Sequence, residues 1–305
     1  LLYRFTIKGQ MMNQQNQTLE YFKAHAEDWN RKATNEAYSL IENRHNAVLE
    51  VIKGFSNNSS FLDVGCGTGQ LAIEASKIGW KSLGVDFAQE MIDVCVNNNI
   101  KAGTTAEFFC SSIFDAKLEI ESYDVVSAQG FIEYISLEQL SDFIKLVHSS
   151  LKDNGAIALG SRNRLFNLHT LNSYTELEDS LGTVSKLTNE GLILQSSTNQ
   201  EEAVRRLEEL AYDYEQPTEH PHTGVKVGTR YQFSPADLIT KLKKHGFNVK
   251  RIYPVHFHPL PITMLGDELA SEIHKQLAKL ASTTWIGNHK LLPYSSSFVI
   301  EAQKA

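Results

Sequence analysis

Apolar residues along this chain change their spacing as it proceeds. Over 19–54 they recur at helical intervals: LEYFKAHAEDWN sets Tyr21, Phe22, His25 and Trp29 on one helical face, and AYSLIENRHNAVLEVI repeats the pattern. This predicts two helices. Beyond them, the short apolar runs SFLDVG, SLGVD, AEFFCS, YDVVSAQ and GAIALGS alternate with helical segments. Strand–helix alternation of that kind predicts a parallel sheet covered by helices on both faces. Two of the helices carry end signals. SLEQLSDFIKLVHSSLKDNG opens on Ser136 as N-cap with Gln139 as its capping-box partner, and Gly155 is expected just past its end. SPADLITKLKKHGF has Ser234 as N-cap, Pro235 at the first helical position and Gly246 as its stop.

Proline marks a shift in organisation: none occurs in 1–216, and six of the seven lie in 217–261. Residues 161–233 also interrupt the strand–helix rhythm, with an amphipathic helix near 200–215 followed by EQPTEHPHTGVKVGTRYQ. The chain therefore divides into 1–16, an extension or disordered segment with Met11 or Met12 as the expected natural start, and a core over 17–160. An insertion over 161–233 is expected to form a lid, and the core sheet resumes over 234–305. There FNVKRIYPV and SSFVIEAQ read as two closing strands with a helix near 264–282 between them.

The 305 residues are 42% hydrophobic and 21% charged, enough to bury a substantial core. A formal net charge of −7 disfavours nucleic acid as a partner, since phosphate recognition needs clustered Lys and Arg. No apolar run reaches the roughly 18 residues of a spanning helix, so no integral membrane segment is expected. Cys66, Cys95 and Cys110 lack metal-type spacing and read as buried thiols of a reducing, cytoplasmic compartment.

The chemistry concentrates in FLDVGCGTGQLA, residues 61–72. A glycine-dense turn after the first strand lets backbone approach a ligand closely. The dinucleotide fingerprint needs a third glycine at position 70, which is Gln70. Asp63, ahead of the turn, suits a cationic amino group and offers nothing to a pyrophosphate. Asp86 ends the next strand, where a carboxylate accepts both hydroxyls of a ribose.

LDVGCGTGQLA followed by GVDFAQEMI closely resembles motif I and the acidic loop of class I S-adenosylmethionine-dependent methyltransferases. FFCSSIFD, YDVVSAQGFIEYIS and LKDNGAIALGS follow in the order of that family. IEYI is similar to the Glu-His pair of its ubiquinone-biosynthesis O-methyltransferase branch, with Tyr134 where the branch has His. The resemblance implies a three-layer Rossmann-like α/β fold with a seven-stranded sheet, mostly parallel with an antiparallel last strand. It implies S-adenosylmethionine as cofactor. Asp63 and the backbone of Gly65, Cys66 and Gly67 would hold the methionine part, and Asp86 with Phe87 the ribose. Ser112 and Ile113 would flank the adenine, and Gln129 would approach the methionine end.

A sulfonium methyl is already activated, so the protein mainly positions the acceptor and excludes water. His258, His222 and Glu133 are the candidates for a base, and Tyr134, Arg162, Arg230 and His256 for substrate contacts. His220 belongs to the same histidine-rich stretch as His222, but no fixed spacing joins that pair to His256 and His258, so no metal is assigned. His256 and His258 alternate on an expected strand and so share a face. Arg162, Arg164 and Arg230 point to an anionic acceptor. The expected function is methyl transfer to a small molecule, most readily at oxygen. A nicotinamide oxidoreductase and a non-catalytic S-adenosylmethionine-binding regulator are the competing classes.

Overall fold

In the computed structural model, which describes residues 16–34, 39–217, 221 and 230–305, three helical stretches precede the sheet. They are residues 16–24 (α1), Ala26–Thr34 (α2) and Ser39–Ile52 (α3). The expected continuous face from Tyr21 to Trp29 is broken at His25, whose Nδ1 lies 2.7 Å from the Tyr21 carbonyl oxygen.

Seven strands follow: β1 Ser60–Val64, β2 Lys81–Asp86, β3 Glu107–Cys110, β4 Tyr123–Gln129, β5 Leu151–Arg162, β6 Phe247–Phe257 and β7 Ser295–Lys304. Their order is β3-β2-β1-β4-β5-β7-β6. The first five are parallel, and β7 is antiparallel to both β5 and β6. The seven-stranded, mostly parallel expectation is met. Sequence order reverses between β1 and β4, and the carboxyl ends of these strands open at that switch point.

Side-chain alternation divides the core between the two faces of the sheet. Leu62, Val126, Ile157 and Phe298 point to one face, under α6 (Leu137–Ser150) and α11 (Pro235–Lys244). Phe61, Val125, Ala158 and Val299 point to the other, under α3 and α4 (Gln70–Lys77). The capping box at Ser136 and Gln139 is formed, and Ser234 caps α11 with Pro235 in its first turn. Gly155 does not end α6. The helix stops at Ser150, Leu151 already pairs with Tyr123, and Gly155 lies inside β5. Asn154, within the same strand where its pairing with β4 shifts register, is in the left-handed region at φ 60°.

Residues 164–210 form a helical layer: α7 Asn167–Thr170, α8 Ser173–Ser180, α9 Val184–Ser196 and α10 Gln200–Leu210. Its Leu187, Leu194, Val204 and Leu207 share the cluster of the sheet. Two buried carboxylates fasten it. Glu190 of α9 accepts from the Tyr214 hydroxyl, Ser234 Oγ and the Ala236 backbone N–H at 2.6–3.0 Å. Glu178 receives Arg164 Nε and Nη2 at 2.8–3.0 Å with both side chains 2% exposed, and also accepts from Asn167. Among the described residues no helix is long and apolar enough to cross a membrane.

Breaking a buried ion pair strands the remaining charge, at a cost of about 3–5 kcal/mol. Glu178→Ala is therefore expected to lower unfolding stability by that amount in urea titration. Glu20→Ala, which breaks the exposed pair with Lys23, is expected to cost under about 1 kcal/mol.

Candidate functional site

The glycine turn between β1 and α4 is built from three left-handed residues, Gly65, Gly67 and Gly69, at φ 66°, 54° and 85°. A Cβ at Gly69 would meet the Phe108 ring at 2.8 Å and Cys95 Sγ at 2.9 Å, so close packing as well as φ demands glycine there. A Cβ at Gly67 would meet nothing within 4 Å. The turn is anchored from β2: Gly65 and Cys66 donate their backbone N–H groups to the Val85 carbonyl. Asp86 accepts from the Gly67 and Ala88 N–H groups, each at 3.0 Å. It thus ties the turn to the start of α5 (Gln89–Ala102). Gln70, the residue in the third-glycine slot, accepts from Thr68 Oγ1 and donates to Asn30 Oδ1 on α2. Asn98 of α5 donates to both Asn30 and the Thr68 carbonyl. The turn is thereby bonded to the N-terminal helices, a connection that no motif announced.

A cavity of about 800 Å³ opens above this turn. Of the described residues that the sequence nominated, all but Arg164 line it: Asp63, Gly65, Cys66, Gly67, Asp86 and Phe87 at the first two strand ends, then Ser112 and Ile113 after β3. Gln129, Glu133 and Tyr134 come from the end of β4 and beyond it, Arg162 from β5, and Arg230, His256 and His258 from the return of the chain. His220 and His222 lie outside the described residues. Arg164 is absent from the lining, because its guanidinium is spent on Glu178. Residues that the sequence did not nominate also line it: Thr18, Leu19, Phe22 and Trp29 of α1 and α2, Arg44 of α3, and Tyr174 at the start of α8. The Phe22 ring stands edge-on to Tyr134 at 5.4 Å, so α1 closes the cavity over the residues after β4. The aromatic spacing of LEYFKAHAEDWN was the available signal for that lid.

The two ends of the cavity differ in charge. At the glycine turn, burial drives the Asp63 carboxyl up to about 7, against a Ser127 hydrogen bond that lowers it and with a smaller push from Asp86. Burial likewise raises Asp86 to about 6, opposed by its backbone hydrogen bonds. At the far end Glu133 is 2% exposed and surrounded by donors. Its Oε1 accepts from Arg44 Nη2 and from the Arg162 backbone N–H, both at 3.1 Å, and Arg230 Nε stands 3.9 Å from Oε2. Glu133 is thus a counter-ion to the surrounding arginines: Oε1 accepts both hydrogen bonds, while Oε2 has only the more distant Arg230 beside it.

His256 and His258 do come together, with ring centroids 4.5 Å apart, although not by simple alternation. His256 has φ 57°, in the left-handed region, and its Nδ1 lies 2.8 Å from Ser296 Oγ. His258 lies beyond the end of β6, held by its N–H to the Tyr294 carbonyl. Both of its ring nitrogens are buried without a hydrogen-bond partner. Burial is the main cause that lowers both imidazoles, His256 to about 4 and His258 to about 3, so each is neutral at pH 7. Gln129 donates to the Ala158 carbonyl and Ser127 Oγ, which holds its side chain along the sheet edge. Among the described residues no group of three or more His, Cys, Asp or Glu is placed to hold a metal.

Residues 61–155 match a family model described as a methyltransferase domain. The chain is 26% identical over 129 residues to a ubiquinone biosynthesis O-methyltransferase of Hydrogenovibrio crunogenus, covering 40% of this chain and 52% of that protein. It is 30% identical over 136 residues to sphingolipid C9-methyltransferase 2 of Gibberella zeae, covering 43% of this chain and 26% of that protein. The chain thus spans about half or less of these relatives. Among solved structures, magnesium protoporphyrin IX methyltransferase from Synechocystis PCC 6803 with bound SAH superposes with a TM-score of 0.54 at 16% identity, over 94% of this chain and 98% of that one. That likeness is one of fold.

Because Asp63 is raised in the folded state, its contribution to stability is full below the unfolded carboxylate pKa and is lost as pH rises through about 7. Urea unfolding of the ligand-free protein is expected to show a loss of stability across that window that Asp63→Asn reduces by about 4 kcal/mol, the remainder belonging to the buried Asp86 and Glu190, which are raised as well. Superimposable pH profiles for the two proteins would refute it.

Proposed function

We propose that this chain, whose residues 61–155 form a methyltransferase domain of the class I, S-adenosylmethionine-dependent kind, transfers the methyl group to an oxygen of a small-molecule acceptor. The observation that carries the reading is the cavity end in which two buried carboxylates flank a glycine-rich turn. A buried carboxylate is costly unless a cation or donors compensate it. Asp63 meets that need with a ligand's ammonium group, and Asp86 with ribose hydroxyls. The open space over Gly67 leaves room for the ligand against backbone. Ser112 and Ile113 would border the adenine, under the apolar cover of α1.

When bound, S-adenosylmethionine supplies an electrophilic methyl on a sulfonium. The protein's own task is to exclude water, hold the acceptor in line and, for a hydroxyl acceptor, take up a proton. The helices α1 and α2 provide the cover. His258, which lines the cavity with both ring nitrogens unpartnered, is the residue assigned to accept the proton, as a weak base, since burial lowers its imidazole to about 3. Support for oxygen as the acceptor atom comes from the chain's likeness to ubiquinone biosynthesis O-methyltransferases.

Calorimetric titration is expected to show binding of S-adenosylmethionine and none of NADH. Affinity should be highest above pH 7 and weaken at least tenfold by pH 5, as protonation removes the charges that the ligand needs. Binding of NADH alone would overturn the reading. With labelled methyl donor and a cell extract as acceptor source, His258→Ala is expected to slow transfer tenfold or more without altering cofactor affinity. An unchanged rate would remove His258 from the role.

A further inference from the structure

Three guanidinium groups meet at the cavity end remote from the glycine turn, against one carboxylate. Arg44 comes from α3, Arg162 from the end of β5 and Arg230 from the return of the inserted segment; among the described residues Glu133 is the carboxylate paired with them. Glu133 is engaged chiefly by Arg44 Nη2 and the Arg162 backbone. Arg230 Nε, at 3.9 Å, is within ion-pair range but beyond hydrogen-bond distance, and it is buried without a hydrogen-bond partner. The Arg162 guanidinium makes no hydrogen bond or ion pair with any described residue. Burial, and then the like charge of Arg230, lower its pKa. The Tyr174 hydroxyl, in the field of both arginines, is also buried and unpartnered.

Partly buried like charges and orphaned donors are costly unless something supplies the missing acceptors. The cofactor does not supply net negative charge: its sulfonium and ammonium outnumber its carboxylate. Glu133 balances one guanidinium and leaves two. The lining therefore presents an excess of planar N–H donors with no acceptor to match.

We propose that Arg162 and Arg230, together with the Tyr174 hydroxyl, form a binding site for an oxyanion of the methyl acceptor, a carboxylate or a phosphate. The assignment rests on reading the same cavity as a methyl-transfer site. Guanidinium groups take such anions bidentately, through the lone pairs of their oxygens. Oxygens occupied in this way are poor nucleophiles, so the anion is a handle and a different atom of the acceptor receives the methyl. The acceptor is thus an organic acid whose hydroxyl or other nucleophile is presented toward the glycine-turn end. Arg44 remains the hydrogen-bonded partner of Glu133 and holds that carboxylate in place.

The test uses the full chain saturated with S-adenosylhomocysteine, whose own affinity is measured first, so that failure of the cofactor reading is seen separately. The complex is then titrated with 4-hydroxybenzoate, phenyl phosphate and the neutral 4-hydroxybenzamide. One or both anionic probes are expected to bind at least tenfold more tightly than the amide, and the tighter of the two identifies carboxylate or phosphate. Arg162→Gln and Arg230→Gln are each expected to lower anion affinity tenfold or more while cofactor affinity stays within twofold. Tyr174→Phe is expected to reduce it less. Equal responses to acid and amide would overturn the proposal. So would a parallel loss of S-adenosylhomocysteine binding in the arginine variants, which would assign these side chains to the cofactor's carboxylate. Circular dichroism of each variant separates loss of binding from loss of fold.

Discussion

A buried carboxylate needs donors from wherever the chain can bring them, and Glu133 draws them from three directions. Arg44 reaches it from the helix before the sheet, the backbone N–H of Arg162 from the end of β5, and Arg230 from the returning insertion. Its carbonyl also accepts the N–H of Tyr231. Removing this one side chain would leave three guanidinium groups crowded in a low-dielectric cavity with no counter-charge. This end of the cavity thus depends on an ion cluster that no single element could assemble.

The opposite end obeys a different rule. There the constraint is backbone, since glycines at positive φ and the Phe108 and Cys95 contacts leave no room for a side chain at Gly69. The Asp86 carboxylate fixes the turn by accepting its N–H. The result is a cavity with acidic groups at the strand tips and basic groups across from them. A ligand pair in which the donor is cationic and the acceptor anionic would match that polarity. The neutral histidines at the end of β6 add no net charge, because burial keeps both imidazoles unprotonated.

Much of this architecture was legible along the chain. Period and turn signals placed the strands, the capped helices α6 and α11, and the switch-point glycine turn, because local sterics and burial dictate them residue by residue. Local signals failed where the deciding partner lay far away. Gly155 looks like a helix stop, yet Leu151 had already paired with Tyr123 and drawn the chain into β5. Arg162 and Arg164 are indistinguishable on paper, two residues apart. One faces the cavity, and the other is consumed by Glu178 from α8. Nothing along the chain shows that Arg44, Arg162 and Arg230, from three separate elements, gather around Glu133.

The sequence by itself determined the fold class, the glycine turn and the two carboxylates that flank it, because each depends on short-range geometry written into consecutive residues. Only the tertiary structure decided which charges are free and which are spent. Arg44 stands 89 positions before Glu133 and meets it through packing alone. Ionic pairing depends on distance in space and on burial, and neither quantity is set until the layers have closed.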